Sequence, residues 1–331
     1  MFAPVLIPTL CRYEHFRRCI ESLSRCTGAN QTEVFIGLDY PLEESHWPGY
    51  RKILKYVDTI QGFKEVHIFK RDVNLGPSRN VSDLRAKIRE RFDRHIYSED
   101  DNEFSPNFLE YMNQCLDKYQ DDPRISAICG YSYREWEDVV DYPFNAYPLQ
   151  GFCAWGWGAW EKKEEKFRGF YGSDDILKSK ELVRQLFRSQ MYATVHHMMS
   201  RKNRANTDLR KRCYNVINDM YCIFPTKSKV RNLGFDGSGV TGTCGKRSAF
   251  ENQNIDMDSF FSLDSFFIQD YPQIKILYRK KYSLSVIQRW LVRIEYYQFR
   301  ITGKAFREYF LFRQLMRAHL LLVNKKEQNG V

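Results

Sequence analysis

Glu99, Asp100 and Asp101 stand side by side in the stretch HIYSEDDNEFSPNFLEYMNQCLDKY, in a chain whose formal net charge is +10. Adjacent carboxylates repel one another, so such a cluster needs either surrounding water or a positive group close by. A solvated turn meets the first condition and a cation-binding lip the second. Hard divalent cations such as Mg2+ and Mn2+ take oxygen ligands and commonly join one or two carboxylates to a substrate diphosphate. Position in the chain weighs toward the lip. The triplet follows HIY, read as the remnant of a fourth strand. It precedes a helix signal in which Ser105 is the expected N-cap and Pro106 the first helical residue. Open α/β sheets bind ligands just outside the C-terminal ends of their strands, where these acids are expected to lie.

The elements that must position the acids are legible upstream. APVLIPTL reads as a buried strand, and YEHFRRCIESLSRC as a helix with Phe16, Cys19, Ile20 and Leu23 on one face. EVFIGLDY and KEVHIFKR read as two further strands, separated by a polar helix around EESHWPGYRKILKYVDTI. NLGPSRNVSDLRAKIRERF is a turn leading into a third helix, and RISAICGYS is the strand after the acids. Strands alternating with helices predict βαβ units and an α/β fold with a mainly parallel sheet flanked by helices. Beyond that the pattern is irregular. The aromatic-rich YPLQGFCAWGWGAWEKKEE leads into a polar helical region that ends near residue 220, and YCIFPTKSKVRNLGFDGSGV reads as strand, turn and glycine-rich loop. From Leu284 onward the chain reads as an amphipathic helical extension.

Composition bounds the function. With 331 residues, 43% hydrophobic and 28% charged, the chain is globular and long enough for a sizeable core. Residues 279–331 hold 12 Lys/Arg and 3 Asp/Glu, a net of +9, leaving about +1 for the rest. A basic tail without any recognised nucleic-acid motif predicts no nucleic-acid partner. Nine cysteines, an odd count with no C-x-x-C pair, read as free thiols of a reducing cytoplasm. The N-terminal stretch lacks the regions of a signal peptide, and no apolar run reaches 18 residues.

The stretch EDDNEFSPNFLEYMNQCLDKYQDDPRISAICGY resembles the acidic-motif segment of inverting glycosyltransferases of the GT-A (Rossmann-like) fold. In these the acids are followed by a Pro-containing helix start, a helix and a strand ending in Gly. Bacterial family 2-like sugar transferases and the animal N-acetylglucosaminyltransferase of N-glycan branching have the nearest patterns, over roughly residues 3–245. The resemblance implies that Asp101 is the ligand of a Mn2+ or Mg2+ ion, while Glu99 and Asp100 touch the ribose and sugar of the donor. It implies that Pro8, Thr9 and Arg12 hold the nucleotide, that Asp39 accepts a hydrogen bond from a uracil imide, and that Arg79 contacts the diphosphate or sugar. GFCAWGWGAWEKK resembles the Trp-Gly-Trp stretch that lines the donor and acceptor cleft, which points to Trp155, Gly156 and Trp157, with Trp160 beyond them. Indole faces stack on sugar C–H surfaces, and glycine lets the backbone approach. Inverting transfer needs a carboxylate base. The resemblance to the bacterial relatives, whose base lies 17 residues before the Pro of a matching strand, places it at Asp208, counted back from Pro225, with Asp174 and Asp175 as runners-up.

These implications define a GT-A domain over residues 1–275, with a nucleotide-sugar half at about 1–101 and an acceptor half at about 102–275. A basic amphipathic helical tail follows over 276–331. Its interleaved Arg289, Arg293, Arg300, Arg307, Arg313 and Arg317 could lie on an anionic membrane surface or stay solvated on a helical cap. The expected activity is transfer from a nucleotide-sugar, UDP-linked by resemblance, to a glycan or lipid-linked glycan acceptor in bacterial surface polysaccharide assembly. The expected place is the cytoplasm or the inner face of the cell membrane. Two departures from the family pattern, no His after GFDGSG and a polar strand DRHIY before the acids, define an alternative: a catalytically degenerate, membrane-associated scaffold. A nucleotidyltransferase ranks last, because PTLCRYEH lacks the glycines its phosphate loop needs.

Overall fold

Val5–Thr9 forms the interior strand β1, and its fully apolar start leaves no polar side chain to seek water between two neighbouring strands. Helix α1 (Tyr13–Ser24) buries Phe16, Cys19, Ile20 and Leu23, the face its 3.6-residue spacing predicts. Each of the larger apolar side chains contributes about 1.5–3 kcal/mol on full burial. β2 (Glu33–Leu38), α2 (Trp47–Val57), β3 (Glu65–Lys70), α3 (Gly76–Ile88) and β4 (Arg94–Tyr97) continue the alternation. The computed structural model describes residues 2–133, 141–200, 207–238, 253–265, 268, 271–274, 276–277 and 284–305.

The sheet has eight strands in the order β3-β2-β1-β4-β8-β6-β9-β7, where β6 is Ile125–Cys129, β7 Ala146–Leu149, β8 Trp157–Trp160 and β9 Tyr221–Pro225. Only β7 and β8 run against the other six, so the sheet is mainly parallel, flanked by helices, as the alternation predicts. β7 and β8 lie in the aromatic-rich region that the sequence pattern left irregular. Both are buried on both faces, so their residues show no alternation of apolar and polar positions.

The segment after the acids also differs from expectation. A three-residue strand, β5 (Asn102–Phe104), intervenes and pairs antiparallel with β10 (Val230–Asn232). Helix α4 (Phe108–Lys118) then starts two residues later than expected, with Asn107 rather than Ser105 at the N-cap. The Ser105 hydroxyl is turned to Asn107 Oδ1, 2.9 Å away, and the Phe108 amide bonds the Ser105 carbonyl.

The chain divides into two compact units, Met1–Gly169 with Asp219–Leu277, and Phe170–Asn218 with Tyr278–Val331. In this division residues 170–218 group with the C-terminal extension, whereas the sequence reading places them with the sheet and draws a single boundary at residue 275. After α5 (Glu161–Arg168), the second unit holds α6 (Ser173–Lys178), α7 (Lys180–Arg188), α8 (Tyr192–Met199), α9 (Thr207–Ile217) and α10 (Val286–Thr302). They share one core, in which Val183, Leu186, Val195, Met198 and Cys213 meet Val292 and Tyr296 of α10. The second half of the tail, including Arg307, Arg313 and Arg317, lies outside the described residues, as do residues 239–244 of the glycine-rich loop.

Candidate active site

β1 has β2 on one side and β4 on the other, both parallel to it, so the direction in which the strand order grows reverses between β1 and β4. Such a switch point leaves a crevice beyond the strand ends. Thr9 closes β1, Asp39 follows β2, and Glu99–Asp101 follow β4, so four of the expected donor residues and the expected metal ligand gather at one edge.

Asp100 and Asp101 are 6% and 7% exposed. The Thr9 hydroxyl donates to Asp100 Oδ2 at 2.8 Å, and Arg12 bonds Asp100 Oδ1 through one terminal nitrogen. The other terminal nitrogen of Arg12 lies 2.9 Å from Asp101 Oδ2. One guanidinium thus bridges both buried acids and offsets part of the mutual repulsion that the sequence poses. Burial pushes the Asp100 carboxyl above the usual carboxylate range, with Asp101 adding to the rise and Arg12 and Thr9 opposing it. Burial alone would lower the Arg12 pKa, but the two carboxylates outweigh it and hold the side chain charged above its usual range.

Asp101 is further held by residues that sequence reasoning missed. Asn232, the last residue of β10, donates to Asp101 Oδ1 at 2.6 Å and to Asn102 Oδ1 at 3.2 Å. The Leu233 amide bonds the Asp101 carbonyl at 2.8 Å. Gly234 lies so close that a Cβ there would stand 2.2 Å from Asp101 Oδ2. Gln253 secures β10 by bonding both the amide and the carbonyl of Asn232, each at 3.0 Å. No periodic signal marks these residues, because β5 and β10 are three residues each.

The donor chemistry of the site fits a hard divalent cation. Asp100 and Asp101 share the single positive charge of Arg12, which leaves this buried bridge with an excess of negative charge. Asp101 offers the ion a carboxylate, and magnesium-like ions complete their shells with phosphate oxygens and water. A second group, Glu33, Glu65 and His67, brings its ligand atoms within 4.8 Å of one another. It lies at the opposite end of β2 and β3, and Glu33 there is already paired with Lys64, Arg91 and His67. That saturated carboxylate serves the sheet edge.

The remaining candidates fall as follows. Pro8 pairs in register with Gly37 on the edge of the crevice. Asp39 is buried, and its Oδ1 accepts the amides of Tyr40 at 2.9 Å and Leu75 at 2.8 Å, tying the loop before α3 to the end of β2. Arg79 is exposed in the first turn of α3 and has no partner among the described residues. Trp155 is half-buried, edge-on to Tyr131 and to Phe235. Gly156 adopts φ +58°, a left-handed conformation that glycine adopts freely, and its carbonyl accepts the Gly130 amide at 2.7 Å. Trp157 is 6% exposed, and its ring meets His95, Tyr97 and Phe152 and takes the Arg85 guanidinium over its face, so it packs the sheet. Trp160 is likewise buried, its indole N–H donating to the Leu116 carbonyl. Asp208 stands in the first turn of α9, and Asp174 and Asp175 in that of α6, all in the second unit.

The polar strand before the acids has a structural cause. His95 is buried against Arg85, whose guanidinium also pairs with buried Glu164 at 3.0 Å, and Arg94 pairs with Asp117. Arg94 and His95 therefore each find a partner for the polar groups they bring into β4. Near the glycine-rich loop, His15 of α1 lies 3.1 Å from Asp236, so a histidine does meet this loop, supplied by α1.

No protein-family model matches the chain, and no curated protein matches it. Parts of it match solved structures. A structure of GalNAc-T7 with UDP, GalNAc and Mn2+ superposes with a TM-score of 0.42 and 10% identity, over 70% of this chain and 44% of that one. The mannosyltransferase PcManGT from Pyrobaculum calidifontis, in complex with GDP-Man and Mn2+, gives 0.35 and 11%, over 51% and 47%. S. aureus TarS gives 0.29 and 12%, over 36% and 20%. This chain spans less than half the length of each of these three.

Proposed function

We propose that the chain is a metal-dependent, inverting glycosyltransferase of the GT-A type that moves a sugar from a nucleotide-sugar, UDP-linked, to a glycan or lipid-linked glycan. Bacterial surface polysaccharide assembly is the setting the sequence resemblance favours. The observation that carries the reading is the buried Asp100–Arg12–Asp101 bridge at the β1/β4 switch point, a net anionic site facing the place where such sheets bind nucleotides.

In this reading Asp39 keeps Oδ2, which has no partner among the described residues, for the uracil imide N–H. Thr9 and Arg12 orient Asp100 toward the ribose side, and Asn232 and Gly234 fix the direction of Asp101. Asp101 would hold Mn2+ or Mg2+, which when bound neutralises the charge on the leaving diphosphate. The acceptor hydroxyl gives its proton to a carboxylate as its oxygen attacks the anomeric carbon, and the bond to the diphosphate breaks with both electrons leaving on the nucleoside diphosphate. Asp208 is the candidate base, an assignment that rests on the sequence pattern alone.

Calorimetric titration with UDP and Mn2+ tests the reading. Wild type should bind only when both are present, and Asp101→Ala should not bind. Asp208→Asn should keep binding and lose sugar transfer. A chain that binds no nucleotide under any metal condition would instead be the degenerate scaffold.

A further inference from the structure

Helix α10 carries two opposed faces. Val292, Glu295 and Tyr296 are 2–3% exposed within the core of the second unit, and Phe299 packs against it. On the other side Val286, Ile287, Trp290, Ile294, Tyr297 and Ile301 are 53–86% exposed. With successive residues about 100° apart, these six cover an arc of about 100° centred opposite the buried face. They make up six of the twelve large apolar side chains that are exposed among the described residues, on one helix of 17 residues. Exposed apolar patches of this size mark interaction surfaces.

The borders of the stripe differ. Arg289, Arg293 and Arg300 line one side, with Lys304 just past the helix end, while Leu291, Gln298 and Thr302 line the other without charge. Arg289 bonds Gln190 at 3.0 Å and Arg293 bonds the Tyr192 hydroxyl at 2.6 Å, which fixes the basic border to the unit. The helix ends are fixed too, by a capping box of Ser285 and Gln288 and by Gly303 at the C-terminus.

We propose that this stripe docks the protein on an anionic membrane surface, with the apolar side chains entering the headgroup boundary and the basic border meeting lipid phosphates. Trp290 and Tyr297 are residue types that favour that boundary. Among the described residues no helix is long and apolar enough to cross a membrane, so α10 lies on the surface. A second copy of the chain fits the stripe poorly. Glu295 is the only acid of α10, and it is buried against His196, so two paired stripes would bring arginines together without a counter-charge. The +9 of residues 279–331 adds attraction to an anionic surface. The proposal is independent of the transferase reading.

Co-sedimentation of the full chain with vesicles tests it, using phosphatidylcholine alone or with about 30% phosphatidylglycerol. Wild type should bind the anionic vesicles, release from them at high salt, and leave the neutral ones free. Trp290→Ser with Ile294→Asp should cut the partition at least about tenfold, since each large apolar side chain is worth roughly a factor of ten. Arg300→Gln with Lys304→Gln should weaken binding about tenfold and flatten its salt dependence. Phe260→Ser, an exposed apolar residue of the other unit, should change nothing. Thermal unfolding confirms that the variants fold. Equal binding to neutral vesicles, unchanged binding by the Trp290/Ile294 variant, or a lipid-free dimer that this variant dissociates would each overturn the proposal.

Discussion

Replacing Arg12 with Gln removes the one positive charge that bridges two buried carboxylates. The side chain is largely buried, so this is not a screened surface pair. Deleting one partner of a buried pair typically costs about 3–5 kcal/mol, because the orphaned charge keeps its desolvation penalty. For a unit of this size each kcal/mol is worth about 2–4 °C of melting temperature, so a fall of about 6–20 °C is expected at neutral pH. The loss should depend on pH with a defined sign. Asp100 already has its pKa raised, by burial first, so its ionised form opposes folding at neutral pH and protonation relieves it. Without Arg12 the folded-state pKa rises further, and the gap between variant and wild type should narrow as pH falls toward 5. Millimolar Mn2+ should also restore part of the loss, since it can take the vacated place beside Asp101 and binds only the folded chain. Thermal unfolding followed by circular dichroism between pH 8 and 5, with and without Mn2+, measures all three. A shift under 2 °C that is flat with pH would show that the bridge carries no buried charge, and the site geometry would fail with it.

Other expected outcomes follow from neighbouring contacts. Asn232→Ala removes the 2.6 Å bond to Asp101, and UDP–Mn2+ affinity should drop about 10–100-fold, the usual cost of losing a partner that orients a metal ligand, while stability changes little. Gly234→Ala places a methyl 2.2 Å from Asp101 Oδ2, so the carboxylate must turn, and calorimetry should show a loss of metal-dependent nucleotide binding with the fold retained. Lys229 and Asp256 form a buried ion pair that Asn107 joins, and the pair holds the Asp256 carboxyl down at about 2 against the cost of burial. That stabilisation is present above the unfolded pKa of about 4 and is lost as pH falls through the folded value, so wild type should lose melting temperature between pH 4 and 2. Lys229→Met should lack this acid step and be less stable at pH 7 by about 3–5 kcal/mol.

What the chain reveals before folding and what it hides have different physical origins. Burial leaves a period, and so the face of α1, the order of β1 to β4 and the placing of the acids at a strand end could all be read from spacing. Side-chain bonds between remote residues leave none. Asn232 reaches Asp101 across 131 positions through two strands of three residues, and nothing in KVRNLGF distinguishes that asparagine from any turn residue. The same limit hid β8, which is apolar on both faces, and the grouping of α10 with residues 170–218, which depends on which helix covers which core. It also explains why DRHIY reads as a defect of the family pattern. His95 and Arg94 are costly in a strand only until Arg85, Glu164 and Asp117 are in place, and all three come from other elements. The acids obey the same logic. Spacing alone asks for either water or a cation beside Asp100 and Asp101, without saying which. The structure supplies Arg12 as the resident one and still leaves the cluster anionic, and that remaining charge is the physical ground for expecting a second, divalent cation to arrive with the diphosphate.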